Sequence, residues 1–234
     1  MSGKNVVLEL DFSVNFDVIK AGFMSDEVLE HIVYSKNVIE FVTVANEYCT
    51  FVENHAAMSR ADFLGKMQKI FPLVYLKATL LPEIDDSNLE APEKFVDEVE
   101  YNFLLNKISE KLGQFDSYQE VFDDGMQFSE EAIGASIADN VCDIYQDLKD
   151  FLLAFRIGTT EIMIDALWEC QNNFKNYWGQ KLVNGLRAIH ALIYADFDLN
   201  EEQNDQMGRK KNNEQGENRK GWIDRHFNNF SEED

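Results

Sequence analysis

The sequence predicts an all-α protein, a helical bundle of about five or six helices built on a long antiparallel helical hairpin. Two stretches carry this prediction, because their apolar residues recur every three or four positions and so share one face of a helix. The first stretch contains Ile133, Ile137, Val141, Ile144, Leu148, Phe151 and Phe155. The second contains Met163, Leu167, Cys170, Phe174, Tyr177, Leu182, Leu186, Ile189 and Ile193. A hairpin cannot bury both apolar stripes alone, so other helices must cover it. The sequence contains only three prolines, a residue poorly tolerated inside helices, so long helices are possible.

The chain is strongly acidic, with a net charge of −22 at pH 7. Binding of nucleic acid relies on basic side chains that neutralise phosphates, and anionic membranes also attract basic residues. The composition therefore predicts neither nucleic acid nor a membrane as a direct partner. It is compatible with a protein partner or with divalent cations.

The cysteines Cys49, Cys142 and Cys170 all lie inside helical patterns, and none belongs to a CxxC pair. Buried, reduced thiols in a reducing compartment are the simplest interpretation. No signal-peptide pattern opens the sequence, and no apolar run approaches the roughly 18 residues of a membrane helix. These features predict a cytoplasmic protein.

Residues 1–34 are interpreted as an N-terminal extension with a strand-like segment. From Val6 to Val18 apolar and polar residues alternate, which is strand periodicity. No other segment is predicted to pair with it. Met24 is an alternative to Met1 as the natural start.

The predicted all-helical domain covers residues 35–195. Its first helix follows Ser35 and runs over residues 36–53. Its second helix begins at Ser59, where the sequence has the pattern of a capping box. Pro72 lies inside that second pattern and is expected to kink or interrupt the helix.

The third helix is predicted from Pro92, a residue type common at the first helical position, to Leu112 before Gly113. The fourth helix is predicted to begin at Ser129 as its cap and to end at Gly158.

The fifth helix, from Thr160 to Tyr194, would span roughly 50 Å if it were straight, against roughly 40 Å for its partner. Gly179 and Asn184-Gly185 are therefore the expected positions of a kink or break.

Residues 196–234 have the composition of a flexible acidic tail, since they contain too few apolar residues to form a core. The tail ends in a short amphipathic pattern of Trp222, Ile223, Phe227 and Phe230.

Three blocks resemble a known family. They are Lys36–Cys49, Phe71–Pro82 and Trp178–His190. Together they are similar to the uncharacterised bacterial domain-of-unknown-function family 5063. The resemblance implies a cytosolic, all-helical bacterial domain, and it supplies no activity or catalytic residues.

Acidic residues on the two hairpin helices form the most specific candidate for a metal site. With a reversal at Gly158, Asp150 comes level with Asp165, and Asp147 comes level with Glu169. Carboxylates on paired helices are suitable oxygen ligands for Mg²⁺ or Mn²⁺, an arrangement used by all-helical nucleotide pyrophosphohydrolases. The heptad pattern of the fourth helix, however, directs Asp143 and Asp150 away from the apolar stripe, and this favours a solvated acidic face.

A second candidate is a pocket or partner surface. Its residues are Trp178, Asn184, Arg187, His190 and Glu47. They combine a large aromatic surface with polar groups, which suits an anionic or hydrogen-bonding ligand. In the alternative, structural interpretation Arg187 pairs with Glu47 or Asp139 and His190 lies at the edge of the core.

Since no catalytic motif is present, the sequence favours a protein-interaction or accessory module, with another protein as its partner and no cofactor. The first alternative is a metal-dependent nucleotide pyrophosphohydrolase that uses Mg²⁺ or Mn²⁺. The second is a ligand-binding bundle centred on Arg187 and His190.

Overall fold

A computed structural model describes residues 31–84, 93–120, 134–195 and 198–199. The α-helices in these ranges are α1 (Lys36–Glu53), α2 (Arg60–Thr79), α3 (Glu98–Leu112), α4 (Ile137–Ile157), α5 (Thr160–Asn173) and α6 (Gly179–Ile193). Short 3-10 turns occupy Ile32–Tyr34, His55–Ala57 and Gly113–Phe115, and a π-helical turn, Phe174–Trp178, joins α5 to α6. The predicted all-α bundle on a long hairpin is confirmed. The predictions for the Val6–Val18 segment, Met24 and the tail from residue 200 lie outside the described residues. The predicted helix starts at Pro92 and Ser129 were wrong, since α3 begins at Glu98 and α4 begins at Ile137.

The helix α4 is the centre of the bundle, because it packs against α1, α3, α5 and α6. A helix covered on all sides is buried all round rather than along one stripe. The heptad argument that turned Asp143 and Asp150 toward solvent was therefore wrong, since both are buried. Asp143 accepts a hydrogen bond from the Tyr101 hydroxyl at 2.7 Å and pairs with Lys181 at 2.6 Å.

Two antiparallel strands lie just before α4. They are β1 (Ser117–Gln119) and β2 (Gly134–Ser136), and Tyr118 stands opposite Ala135. The strands bring the Asp116 carboxylate to the N-terminus of α4, where it accepts from the Ala138 N–H at 2.8 Å. The first residue of α4 is therefore Ile137, with Ser136 as its N-cap.

The hairpin reverses at Gly158, which has a left-handed φ of 84° and ends α4 as predicted. The helices α2 and α6 also pack against each other. Phe71 lies beside Gly185, and the ring of Tyr75 lies 5.2 Å from that of Phe174. Residue numbers rise on α2 while they fall on its neighbour, so the two helices are antiparallel.

The predicted break in the last long helix takes the form of the π-helical turn that ends just before Gly179. Asn184-Gly185, by contrast, lies within α6. Of the two outcomes predicted at Pro72, a kink or an interruption, the interruption does not occur, because α2 continues through this residue. Pro72 is exposed, which lets water reach the backbone carbonyl that proline leaves without a donor.

The core is apolar and includes all three cysteines as buried free thiols, as expected. Burial raises the pKa of each of these thiols above its ordinary value. No helix of the described ranges combines the length and apolarity needed to cross a membrane.

Candidate functional site

Three of the four predicted metal ligands converge on one small cavity. Asp147 and Asp150 of α4 and Glu169 of α5 line it together with Lys94 and Asn173. We call these three acidic side chains the carboxylate cluster. The cavity has room for about one water molecule.

The fourth predicted ligand, Asp165, is not among the residues that line this cavity. It belongs to α5, four positions before Glu169.

Lys94 lines this cavity and places its ammonium group beside the carboxylate cluster. Lys94 Nζ lies 2.7 Å from Glu169 Oε1 and 3.9 Å from Asp150 Oδ2. The side chain of Lys94 is 52% exposed, whereas that of Asp150 is only 6% exposed. The cluster therefore meets solvent through the lysine.

Asp150 also holds the chain that leads into α3. Its Oδ1 atom accepts hydrogen bonds from the backbone N–H groups of Phe95 at 2.8 Å and Val96 at 2.9 Å. This contact keeps residues 93–97 non-helical, so α3 begins at Glu98 with Asp97 as its N-cap. The same segment places Lys94 beside Glu169.

Two buried oxygen atoms of the cluster have no hydrogen-bond partner among the described residues. They are Asp150 Oδ2 and Glu169 Oε2. A buried charged oxygen without a donor is costly, and native proteins rarely leave one without an ion or water.

The electrostatics of the cluster reflect its burial. Burial raises the pKa of Asp147 to about 6, while a hydrogen bond from Asn173 and the charge of Lys94 oppose this and Asp150 and Glu169 add to it. Burial alone would lower the pKa of Lys94, but the hydrogen bond and charge of Glu169, with Asp150 and Asp147, outweigh it and raise that pKa.

Asp147→Asn is expected to stabilise the metal-free protein at pH 7.5. The ordinary aspartate pKa, 3.8, rises to about 6 in the folded state, so the folded chain binds the proton more tightly than the unfolded chain. Stability then falls as pH rises from about 4 to about 6, by at most about 3 kcal/mol. The asparagine oxygen still accepts from Asn173, which donates to Asp147 at 2.6 Å in the native protein.

The measurement is urea unfolding of both proteins in chelator-treated buffer at pH 4 and pH 7.5. The variant should be more stable by about 1–3 kcal/mol at pH 7.5 and equal at pH 4. An equal difference at both pH values would contradict the raised pKa of Asp147.

The residues predicted as a pocket or partner surface are not brought together. Trp178 is fully buried, with its ring 4.7 Å from that of Phe174 and its Nε1–H donating to the Cys170 carbonyl at 3.3 Å. Asn184 is also buried and accepts from Gln180 at 3.0 Å.

Arg187, His190 and Glu47 are exposed, the first two on α6 and the third on α1. No ion pair within the described ranges joins Arg187 to Glu47 or to Asp139, the two partners considered for it. Arg187 and His190 instead stand on an outer row of α6.

The outer row of α2 is unusual for its apolar side chains. Leu73, Leu76 and Leu80 are 43%, 51% and 43% exposed, at spacings of three and four that put them on one side of the helix. Lys66 and Lys69 continue the row toward the N-terminus of α2. The outer row of the neighbouring α6 carries Val183, Arg187 and His190. We call these eight residues the α2–α6 face.

This face differs in charge from the rest of the chain. Of its eight residues, Lys66, Lys69 and Arg187 are basic and none is acidic, whereas Lys77 and Lys181 of the same helices are paired with Glu40 and Asp143. By contrast, α4 and α5 together carry seven acidic and two basic residues. The α2–α6 face is thus a basic and apolar surface on an acidic protein.

Sequence reasoning missed both Lys94 and the leucine row. Nothing local distinguishes Lys94, since its role depends on residues more than fifty positions away. The leucine row did leave a signal: between Phe71 and Leu81 apolar residues occupy both sides of the helix, more than one buried stripe can absorb.

By its fold the protein is a helical bundle built on a long hairpin, and the described residues contain no group of three or more His, Cys, Asp or Glu residues that could hold a metal ion. The chain belongs to the family described as Domain of unknown function (DUF5063), which matches residues 32–195. This confirms the family resemblance drawn from the sequence.

A crystal structure of protein BF1032 from Bacteroides fragilis is similar to the chain, with 40% sequence identity and a TM-score of 0.63. The match covers 71% of this chain and 98% of that one. The comparison with curated proteins gave no match.

Proposed function

We propose that this protein is a protein-interaction module whose α2–α6 face binds an acidic amphipathic segment of a partner protein. The observation that supports this most is the row of Leu73, Leu76 and Leu80, each more than two-fifths exposed. The spacing i, i+3 and i+7 is the one through which amphipathic helices make apolar contacts with a partner.

The exposed leucine side chains of the α2–α6 face supply the affinity for the partner. Covering the exposed half of a leucine side chain stabilises a complex by about 1 kcal/mol, at roughly 25 cal/mol per Å². Three such side chains in one row together contribute about 3 kcal/mol, provided that the partner presents apolar side chains at matching positions.

The basic side chains of the α2–α6 face select an acidic partner. At physiological salt the screening length is about 8 Å, so Lys66, Lys69 and Arg187 act on a docked segment more strongly than acidic residues on other sides of the bundle do. An acidic segment is therefore attracted at the face itself. A second copy is a poor occupant, because symmetric pairing would place Lys69 and Arg187 near their own counterparts. Nucleic acid is also a poor occupant, because phosphates leave the leucines uncovered.

The test uses two fluorescent helical peptides with the same leucine pattern, one with glutamate and the other with lysine at its polar positions. The glutamate peptide should bind by fluorescence anisotropy, and the lysine peptide should not. Leu76→Lys is expected to weaken binding of the glutamate peptide at least about tenfold, since it removes apolar contact and buries a charge.

The matched control is Val99→Lys, because Val99 is 77% exposed on α3, away from the proposed face. This variant should bind as the native protein does. Equal loss in both variants, equal binding of both peptides, or no binding of either peptide would overturn the proposal.

A further inference from the structure

We infer that the α2–α6 face is divided along its length into a basic end and an apolar end, and that its ligand is a partner helix divided in the same way. On the side that faces the protein, this helix carries carboxylates at one end and apolar side chains at the other. The inference rests on the proposed function and adds the order of residues that the partner must have.

The two helices of the face have a defined register. A methyl group added at Gly185 would lie 3.1 Å from the Phe71 ring, so these two residues stand level with each other. Because the helices are antiparallel, the direction toward the N-terminus of α2 is the direction toward the C-terminus of α6. Positions on the two outer rows can therefore be compared by counting residues from this level.

One end of the face is basic. Lys69 and Arg187 each lie two residues from this level, toward the N-terminus of α2, and Lys66 and His190 each lie five residues from it in the same direction. At 1.5 Å per residue these positions are about 3 and 8 Å along the helices. All four side chains are exposed. They form two pairs of nitrogen-bearing groups, one behind the other.

The other end of the face is apolar. Leu73 and Val183 each lie two residues from the same level in the opposite direction, and each is 43% exposed. Leu76 and Leu80 extend the row toward the C-terminus of α2. Charged and apolar side chains of the face are therefore separated along its length and do not alternate.

The positive charges of the basic end are available to a ligand. No ion pair within the described residues uses Lys66, Lys69 or Arg187. Asp62, one turn before Lys66 on α2, accepts from the Ser59 hydroxyl at 2.8 Å at the start of the helix. A carboxylate of a docked helix could thus pair with these cations without breaking an ion pair in the described part of the chain.

The row on α2 favours a helix as the ligand. Its members are separated by alternating steps of three and four residues, which is the spacing of the two contact positions of a heptad repeat. They are Lys66, Lys69, Leu73, Leu76 and Leu80. The row is about 21 Å long, so a partner helix of about 15 residues would cover it.

The contact positions of this partner helix cannot all be alike. Opposite the leucines they must be apolar, because a carboxylate there would lose water without gaining a partner. Opposite the lysines an apolar side chain would cover an unpaired ammonium group, whereas glutamate would form a charge-assisted hydrogen bond with it. The ligand therefore changes from acidic to apolar along its length.

The test compares two fluorescent helical peptides of identical composition, each with five contact positions. In the graded peptide these positions are glutamate, glutamate, leucine, leucine and leucine from the N-terminus, where acidic residues also favour a helix. In the scattered peptide they are leucine, glutamate, leucine, glutamate and leucine. In either direction of binding the scattered peptide sets one glutamate against a leucine and one leucine against a lysine. By fluorescence anisotropy the graded peptide should bind at least about tenfold more tightly.

Charge reversal tests the basic end directly. Lys69→Glu should weaken binding of the graded peptide at least about tenfold, because it replaces attraction with repulsion. A graded peptide with lysine in place of its two glutamates should show the reverse preference and bind Lys69→Glu more tightly than the native protein. The matched control is Lys107→Glu, at an exposed lysine of α3 that is paired with Glu110. It should leave both affinities unchanged, and thermal unfolding checks that each variant is folded.

Equal binding of the graded and scattered peptides would overturn this inference. If the glutamate peptide still loses binding in Leu76→Lys, the proposed function would stand without it. An equal effect of Lys69→Glu and Lys107→Glu on folded proteins would also overturn the inference. Failure of every peptide to bind would overturn both the inference and the proposed function.

Discussion

Asp116→Ala is expected to lower the free energy of unfolding by about 3 kcal/mol. The carboxylate of Asp116 is buried and accepts from the Ala138 N–H at 2.8 Å. It also accepts from the hydroxyls of Ser136 at 3.0 Å and Ser109 at 2.9 Å. Alanine would leave these donors without their partner at the start of the central helix, where each unsatisfied buried group costs roughly 1–3 kcal/mol.

The matched control for this prediction is Asp97→Ala. Asp97 is also an N-cap and accepts from the Glu100 N–H at 2.7 Å, but it is exposed. Water can replace it, so the expected loss is about 1 kcal/mol. Chemical denaturation of both variants measures the difference, and equal losses would show that the buried network around Asp116 adds nothing beyond a surface cap.

Gly179→Ala is expected to lower the free energy of unfolding by about 2 kcal/mol, although alanine normally favours a helix. Gly179 has helical dihedral angles, so its conformation does not require glycine. The π-helical turn, however, brings Phe174 close. A methyl group at position 179 would overlap the Phe174 carbonyl oxygen and come within 2.9 Å of its ring carbons. Such overpacking costs typically 1–3 kcal/mol.

The control is Gly65→Ala in the middle of α2, where a methyl group would meet no atom within 4 Å. This variant should be more stable by up to about 1 kcal/mol, through the ordinary preference of a helix for alanine. Thermal or urea unfolding gives both values. A gain in stability at Gly179 equal to that at Gly65 would mean that the turn does not place Phe174 against that position.

Local signals in the sequence were sufficient for several helix ends. Ser59 caps α2 through the Asp62 N–H as the pattern indicated, and α1 occupies residues 36–53 as predicted. Gly158 ends α4 in the left-handed conformation that glycine favours. These features depend on residues within a few positions of one another, which is the range over which propensity and capping act.

Other helix ends depend on distant residues and could not be predicted locally. Pro92 looked like a suitable first residue for α3, but the helix begins at Glu98 because Asp150 binds the backbone before it. Likewise α4 begins at Ile137, where the Asp116 carboxylate accepts from the Ala138 N–H. In both cases the partner lies more than twenty positions away or across another helix.

The candidate sites also combine features that the sequence could predict with features that depend on distant residues. The level pairing of Asp147 with Glu169 follows from the reversal at Gly158, so sequence reasoning could place these residues together. It could not supply Lys94, whose position depends on the fold of residues 93–97. It also turned Asp150 outward, because a heptad analysis assumes one covered face, whereas α4 is covered by four helices.

The most direct test of the central claim is methyl NMR of the protein with labelled leucine and valine side chains, titrated with the glutamate peptide. The account predicts shift changes concentrated at Leu73, Leu76, Leu80 and Val183, with Val99 unchanged. Changes that are absent, or that centre on Val99 and α3, would contradict the claim that the α2–α6 face is the binding surface.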